Sequence, residues 1–204
     1  MKIIGITGGV GAGKTEVLSL IKKNCNCKIV LADELANQLK EPGRSCYQPL
    51  IELLGTDILC ADGSIDKRKM AERIFDENAH EVLKKVNELI HPAVKQEVLS
   101  LIKLETEQGA VDLFFIEAAL LLEDGYREVC DEIWYIKADR EIRARRLAVS
   151  RGYSDEKIEQ IMSKQFDDAT FEKMCDETID NSMDLIHTEQ QIKLLIQKKN
   201  AENS

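Results

Sequence analysis

The residues best suited to chemistry in this 204-residue chain form a glycine-rich stretch near its start. Residues 8–15 read GGVGAGKT and fit the pattern G-x-x-x-x-G-K-[ST]. Glycines let the backbone turn its N–H groups inward, and the start of a helix adds positive potential, so the stretch predicts a phosphate cradle. We expect Lys14 to reach the β- and γ-phosphates of ATP and the Thr15 hydroxyl to bind Mg²⁺.

The surroundings of this stretch strengthen the prediction of nucleoside-triphosphate binding. An apolar strand (IIGIT) precedes it and an amphipathic helix (KTEVLSLIKK) follows it. The alternative interpretation is a flexible glycine-rich turn, which this context disfavours. The predicted ATP-binding residues are Gly8, Gly9, Val10, Gly11, Ala12, Gly13, Lys14, Thr15 and Glu16.

Two carboxylates follow predicted strands, where open α/β sheets bind their ligands. Asp33 comes after the apolar run at 29–32, and Glu117 ends the run at 113–116. Either carboxylate could take a proton from an attacking hydroxyl or support the magnesium shell. Two simpler roles remain open at this stage, because Asp33 would also serve as a helix N-cap and Glu117 could be a solvated strand end. If Asp33 is functional, we expect it to flank the same cleft as the cradle.

A cluster of arginines stands out in a chain whose net charge is -9. Three of them, Arg140, Arg143 and Arg146, are three residues apart and so follow one face of a predicted helix. Such a face, followed by a turn at Gly152, suits a lid over residues 139–165 whose guanidinium groups stabilise the charge of the transferring phosphoryl group. The alternative is a solvated basic face, paired with neighbours such as Glu141.

The positions of these residues imply an α/β fold. Apolar segments rich in β-branched or aromatic residues alternate with segments of helical period, which predicts a five-stranded parallel sheet flanked by helices. The predicted strands are 2–7, 28–31, 111–117, 132–137 and, more weakly, 177–180. The predicted helices are 14–23, 33–39, 46–54, 67–75, 79–107, 140–150, 155–164 and 187–198.

About 80 residues without a convincing strand separate the second strand from the third. We expect one P-loop domain over 1–204 with a helical, acceptor-binding insertion at 62–107. An ordinary crossover helix with a long coiled hairpin is the alternative. Within the insertion, His91-Pro92 predicts a helix break or a new helix start.

Composition narrows the class of protein. The negative net charge argues against a nucleic-acid partner, and no apolar run is long enough for a membrane span. The six cysteines include no CxxC pair, and the start of the chain does not resemble an export signal, which favours a cytoplasmic protein with reduced thiols. The sequence shows no assembly surface, so a monomer is expected. A GTPase would carry D-x-x-G and N-K-x-D, which do not occur, and a small-molecule kinase remains.

Further motifs follow the ITGGVGAGKT opening in a definite order. LADELA comes at 31–36, EPG at 41–43 and DGSIDK at 62–67. His91-Pro92, EAALLLE at 117–123 and Gln165 follow, with Asp176, Ile179 and Asn181 at the end. In this order and spacing, the motifs over residues 3–181 resemble those of the dephospho-CoA kinase family. The chain departs from the family pattern at four positions. Leu31 and Glu117 replace aspartates, Ala119 replaces a proline, and Lys67 replaces an arginine and is followed by Arg68.

This resemblance implies the last step of coenzyme A synthesis, in which ATP donates a phosphoryl group to the ribose 3′-hydroxyl of dephospho-CoA with Mg²⁺ as the cofactor. It implies that Asp33 is the proton acceptor. We expect Lys67, Arg68, His91 and Glu117 to join Asp33 in binding the acceptor, with Lys67 and Arg68 as candidates for its phosphate contacts. Capping of the preceding helix is an alternative role for His91. The residues alone support only Mg-ATP phosphoryl transfer to a small acceptor. A nucleoside or nucleotide kinase therefore stays open, as does a non-catalytic ATP-binding switch.

Overall fold

A computed structural model describes residues 1–75 and 80–202. Its strands form one parallel sheet in the order β2-β3-β1-β4-β5, flanked by helices, which confirms the predicted fold class. The strands are β1 (Lys2–Thr7), β2 (Cys27–Leu31), β3 (Leu113–Glu117), β4 (Glu132–Lys137) and β5 (Glu177–Asp180). The helices are α1 (Lys14–Asn24), α2 (Ala32–Leu39), α3 (Tyr47–Leu54), α4 (Lys67–Ile74), α5 (His80–Gln108), α6 (Arg140–Arg151), α7 (Asp155–Met162), α8 (Asp168–Met174) and α9 (Leu185–Glu202).

The three central strands form the core of the sheet. β1 pairs with β3 on one side and β4 on the other, so that Ile6 lies opposite Glu117 in one register and Trp134 in the other. Residues 113–116 of β3 and 133–136 of β4 are almost completely buried. Continuous burial is expected when helices cover both faces of a parallel sheet. The strand ends that carry chemistry are therefore fixed by a closely packed core.

The chain divides into two compact units. The sheet unit contains Met1–Val30 and the residues from Gln108 onward, and the helical unit contains Leu31–Glu107. Among the described residues of the helical unit, the segment between α3 and α4 contains a short 3-10 helix at Thr56–Ile58 and an antiparallel bridge between Leu59 and Ile65. The predicted insertion at 62–107 lies inside this unit. Its boundaries as a functional module stay a prediction.

The predicted break at His91-Pro92 is wrong. Helix α5 continues through Pro92, and buried valines lie on both sides of it, at Val86, Val94 and Val98. A proline inside a helix removes one backbone hydrogen bond and costs about 3 kcal/mol. The packing of the apolar residues before and after Pro92 outweighs this local preference. Residue 79, where the prediction began this helix, lies outside the described residues.

Helix α8 was not predicted, although a signal for it exists. The Asp167 side chain accepts a hydrogen bond from the backbone N–H of Thr170 and so caps the helix. Its Phe171 stacks on Tyr135 with ring centroids 4.7 Å apart. A helix of seven residues has too few turns for its periodicity to be visible. No helix within residues 1–75 and 80–202 combines the length and apolar character needed to cross a membrane.

Candidate active site

The phosphate cradle lies between the end of β1 and the start of α1. Gly13 is the N-cap of α1 with φ 85° and ψ 33°, a left-handed conformation that favours glycine, and it makes no side-chain cap hydrogen bond. The N–H groups of the first helical turn therefore lack a side-chain acceptor at this end. Because the helix dipole is positive here, this terminus is suited to a phosphate.

Lys14 is held at the mouth of the cradle by two groups of the sheet unit. Its Nζ donates a hydrogen bond to the Gly8 carbonyl oxygen at 2.9 Å and lies 3.6 Å from Oε1 of Glu117. The parallel register of β1 and β3 places Glu117 opposite Ile6, close to the glycine-rich loop. The structure thus brings together two residues that are 103 positions apart, and the two contacts orient the Lys14 ammonium.

Thr15 and Glu16 occupy the first turn of α1, and both are exposed. In the described part of the chain, the Thr15 hydroxyl has no hydrogen-bond partner. A hydroxyl in the first turn of α1 is a hard oxygen ligand of the kind that Mg²⁺ prefers, and the neighbouring Lys14 lies against the Glu117 carboxylate. The residues present therefore fit the predicted metal.

Val10 is tied to the predicted lid by both of its backbone groups. Its N–H donates to Oε1 of Gln165 at 3.0 Å, and its carbonyl oxygen accepts from Nε of Arg143 at 3.0 Å. Nη2 of Arg143 also donates to Oε1 of Gln165, at 2.8 Å. The guanidinium lies so close to Gly9 that a Cβ atom there would collide with it. A side chain at this position would therefore displace the Arg143 guanidinium from its contacts.

Ala12 is held in a similar way by Arg146 of α6 and by Asn181, which follows β5. Its carbonyl oxygen accepts from Nδ2 of Asn181 at 2.8 Å and from Nη1 of Arg146 at 3.2 Å. Nη2 of Arg146 donates to the Asn181 carbonyl oxygen at 2.9 Å, and the buried Thr188 hydroxyl donates to Oδ1 of Asn181. Ala12 also donates its own N–H to Gly9, so Val10 and Ala12 use their N–H groups inside the protein. These two residues anchor the cradle, and phosphate oxygens must be bound by other donors.

The predicted arginine face therefore has two different environments. Arg143 is only 6 % exposed, and burial lowers the pKa of its guanidinium, partly offset by the neighbouring Tyr135 and Asp168. Arg146 is half-buried against the loop, whereas Arg140 is exposed and pairs with Glu159 of α7. Arg143 and Arg146 contact loop carbonyl groups, and Arg140 remains at the surface.

In the helical unit, Asp33 is the second residue of α2. The N-cap is Leu31, and no side-chain cap hydrogen bond is present, so the proposal that Asp33 caps this helix is wrong. Its side chain is exposed and has no hydrogen bond to the described residues. The carboxylate lies close enough to Lys40 for the two charges to interact. Asp33 thus follows the carboxyl end of β2 with its oxygens accessible.

Lys67 and Arg68 begin α4, whose N-cap is Asp66. The Asp66 carboxylate accepts from the backbone N–H groups of Arg68 and Lys69. Both side chains are exposed, and Nε of Arg68 lies 3.8 Å from Oε1 of Glu72 one turn later. Burial lowers the pKa of Lys40, and the charge of nearby Lys67 lowers it further. The helical unit therefore brings the positive charges of Lys40 and Lys67 close together.

His91 lies on α5, next to the proline through which the helix continues. It lines an open groove of about 460 Å³ on one face of that helix, together with His80, Lys84 and Glu88. The groove lies within the helical unit, and its lining also includes the apolar side chains of Leu83 and Pro92. It is large enough for part of a small organic molecule.

Comparison with known proteins identifies the family. The model of the family described as "Dephospho-CoA kinase" matches residues 2–187. This chain belongs to the dephospho-CoA kinase family. The match confirms the resemblance drawn from the motifs, and it makes the chain a P-loop phosphotransferase.

Individual relatives agree with this assignment. The dephospho-CoA kinase of Streptococcus agalactiae serotype Ia is 33% identical over 191 residues, which cover 94% of this chain and 95% of that protein. The enzyme of Carboxydothermus hydrogenoformans is 34% identical over 199 residues, covering 97% and 94%. The solved dephospho-CoA kinase of Campylobacter jejuni superimposes over 100% of both chains with a TM-score of 0.75. At 20% identity, this last likeness shows the shared fold.

Several residues of this dephospho-CoA kinase family member have contacts that the sequence did not reveal. Gln165 and Asn181 were noticed only as family motif positions, and no role was predicted for Lys40 or Thr188. Their contacts join the cradle to residues far away in the chain, 155 positions for Val10 with Gln165 and 169 for Ala12 with Asn181. No local pattern predicts such pairs. An unexplained polar residue within a family motif was the available signal for Gln165 and Asn181.

Proposed function

We propose that the protein transfers the γ-phosphoryl group of ATP to the ribose 3′-hydroxyl of dephospho-CoA, giving coenzyme A and ADP. The observation that carries this proposal is Lys14, held between the Gly8 carbonyl and Glu117 at the uncapped start of α1. Membership of the dephospho-CoA kinase family supplies the acceptor. It also disfavours the nucleoside kinase and the non-catalytic switch.

On the donor side, the stretch 8–16 would bind the triphosphate through its other N–H groups, with Val10 and Ala12 as the anchors of the loop. Lys14 would offset the charge that develops during transfer. Thr15 would hold Mg²⁺, which supplies Lewis-acid stabilisation of the phosphate oxygens when bound. Glu117 lies close to Lys14 and would order the metal-bound waters or contact the acceptor. Arg140, an exposed member of the predicted 139–165 lid, would contact the phosphates after release from its ion pair with Glu159.

On the acceptor side, Asp33 would accept the proton of the attacking hydroxyl. Its support is its position after β2, its exposure and its lack of a capping role. A ribose hydroxyl is barely acidic and needs a carboxylate within hydrogen-bond reach as it attacks phosphorus. The proton moves to Asp33 while the bond to the ADP leaving group breaks.

Lys67 and Arg68 would bind a phosphate group of the acceptor. Their support is their location at the positive end of α4, together with the charge of Lys40 nearby. His91 would contact the acceptor from the α5 groove. The single P-loop domain, its insertion at 62–107, a monomeric state and a cytoplasmic location complete the proposal.

An ADP-release assay across acceptors tests this function. The purified protein with Mg-ATP is offered dephospho-CoA, a panel of nucleosides and nucleotides, or buffer alone. We expect turnover above the buffer rate with dephospho-CoA only. Equal rates with dephospho-CoA and buffer would refute the proposal, and turnover with a nucleoside or nucleotide would select the alternative kinase. Binding of ATP without turnover on any acceptor would select the switch.

A further inference from the structure

The contact between the predicted lid and the cradle has an unusual arrangement at Val10. One oxygen atom, Oε1 of Gln165, accepts from both the Val10 N–H and Nη2 of Arg143, while Nε of Arg143 donates to the Val10 carbonyl. The three residues close a ring in which both backbone groups of Val10 are engaged. The N–H belongs to the peptide that precedes the Val10 Cα and the carbonyl to the peptide that follows it, so rotation of either peptide breaks one of these contacts.

The Val10 side chain reinforces this attachment. It packs against a cluster formed by Leu147 of α6 with Ile158 and Met162 of α7, all of them buried. An apolar residue inside an otherwise glycine-rich loop is thus explained by the helices that cover it. Backbone and side chain together attach the middle of the loop to α6 and α7.

This geometry also limits what Arg143 can do. Guanidinium groups donate through a planar fork, and here two of the three nitrogens are directed at Val10 and Gln165. The side chain is 6 % exposed, so it has little freedom to turn toward a ligand. Its charge still raises the positive potential of the cradle. Arg143 is therefore placed to act on phosphates through the loop.

We infer that Gln165 is a positioning residue of the phosphate cradle, which locks Val10 through Arg143 without touching either substrate. The inference rests on the proposed function and adds a specific role to α6 and to the segment after α7. Loss of the Gln165 oxygen leaves the Val10 N–H and one Arg143 nitrogen without their acceptor, and the loop then samples conformations that bind triphosphate less well. The affinity for Mg-ATP and the rate of phosphoryl transfer then decrease, and the affinity for the acceptor does not change.

The first test replaces Gln165 with methionine, which keeps the length of the side chain and removes the acceptor. Gln160→Met, at an exposed position of α7, is the matched control. We expect the Gln165→Met enzyme to show a rise of about tenfold or more in the Kd and KM for Mg-ATP, because a factor of ten corresponds to the loss of one hydrogen bond to a charged group. Its kcat should also be lower. The KM for dephospho-CoA should stay within about twofold. A merely structural role would lower the amount of active enzyme and leave both KM values unchanged.

The second test is a double-mutant cycle with Arg143→Lys, which keeps the charge and removes the fork. If Arg143 acts through Gln165 and Val10, the two substitutions are strongly non-additive in the Kd for Mg-ATP. Additive effects would mean that Arg143 contacts the phosphates by itself, and they would overturn the inference. A Kd for Mg-ATP within about twofold of wild type in a folded Gln165→Met enzyme would overturn it too.

Calorimetric titration with Mg-ATP in the absence of acceptor separates this inference from the proposed function. A wild-type protein that fails to phosphorylate dephospho-CoA, yet binds Mg-ATP more tightly than Gln165→Met, would refute the function and support the positioning role. A wild-type protein that phosphorylates dephospho-CoA, with a variant that binds Mg-ATP equally well, would support the function and refute the positioning role. Thermal unfolding of each variant verifies that the comparison is between folded proteins.

Discussion

The sheet unit and the helical unit hold their candidate functional side chains in opposite ways. In the sheet unit, Lys14, Arg143 and Arg146 each donate to a backbone carbonyl of the cradle. In the helical unit, Asp33 and Lys67 are exposed and keep their rotational freedom. One region is ordered in advance by its own backbone, and the other presents long side chains to solvent.

The difference follows from the chemistry of the two predicted ligands. A triphosphate offers the same oxygens in every reaction, so a fixed array of donors stabilises transfer without reorganisation at the moment of reaction. Ordering a free lysine or arginine costs up to about 2 kcal/mol of side-chain entropy, which weakens binding. We therefore expect substitutions in the sheet unit to alter kcat and donor binding. Those at the start of α4 should alter acceptor binding, and Asp33 is the exception that tests this division.

The largest effect is expected from Asp33→Asn. Loss of a general base lowers the rate by about 10²–10⁴, so kcat should fall by at least about 10², with Kd for ATP and Tm nearly unchanged. Leu31 is the N-cap of α2, so the substitution removes no cap. Steady-state kinetics with saturating substrates measures the change, and Glu34→Gln on the same turn is the control. A kcat within a few-fold of wild type would exclude Asp33 as the base and make Glu117 the next candidate.

Lys14→Ala should lower kcat by about 10²–10³, the usual effect of removing one preorganised donor from a transition-state site. The variant also leaves Glu117 without this cation at 3.6 Å, which adds unfavourable negative charge to the cradle. Single-turnover measurement with Mg-ATP isolates the transfer step. Lys22→Ala, in the last turn of the same helix, is the control for loss of a charge. Near-normal transfer by a folded Lys14→Ala enzyme would contradict the placement of the triphosphate.

Lys67→Ala and Arg68→Ala should each raise the KM for dephospho-CoA by about tenfold, the size of one charge-assisted contact. The KM for ATP should not change. Lys103→Ala, another exposed cation of the helical unit, is the control. Comparison of the two variants also decides which side chain carries the contact in a chain that has lysine where an arginine is usual. An equal rise in both KM values would show that the start of α4 is not specific to the acceptor.

The smallest effect on activity is expected from Glu132→Gln, at the start of β4. Lys199 of α9 is buried, and its Nζ lies 2.7 Å from Oε1 of Glu132. Burial would raise the pKa of Glu132, but hydrogen bonds from Lys199, Trp134 and Lys2 outweigh it and lower the pKa. A carboxylate with a depressed pKa contributes stability above its unfolded-state value of about 4.3, and this stability is lost as pH falls through the folded-state value.

Thermal unfolding across pH 3 to 8 checks this prediction. Glu132→Gln should lower Tm at pH 7, because Lys199 loses its nearest carboxylate, and the two proteins should converge as the pH falls below about 4. The kcat at 25 °C should be unchanged. A constant Tm difference over the whole pH range would mean that the charge of Glu132 is not what stabilises the folded chain. A fall in kcat would mean that the cradle depends on the far end of the sheet.

The features that could be predicted from the sequence are those that depend on neighbouring residues. The glycine pattern, the apolar runs of β1, β3 and β4 and the helical periods of α1 and α6 are local, so the P-loop sheet and the carboxylates at its strand ends could be predicted. The same local reasoning failed at Pro92, where packing at Val86 and Val94 keeps α5 continuous. It also missed α8, whose cap at Asp167 is local but whose stability comes from Phe171 against Tyr135.

The contacts of the arginines and of the Asn181 amide depend on residues far apart in the chain, so they became visible only in the fold. Arg143 reaches Val10 across 133 residues and Asn181 reaches Ala12 across 169, and both contacts are made because parallel strands bring their ends to one edge of the sheet. From the sequence, Arg140, Arg143 and Arg146 are three equivalent members of one helical face. In the fold, burial and the nearest carbonyl group separate them, since a guanidinium removed from water must be bonded to whatever acceptor the packed chain provides.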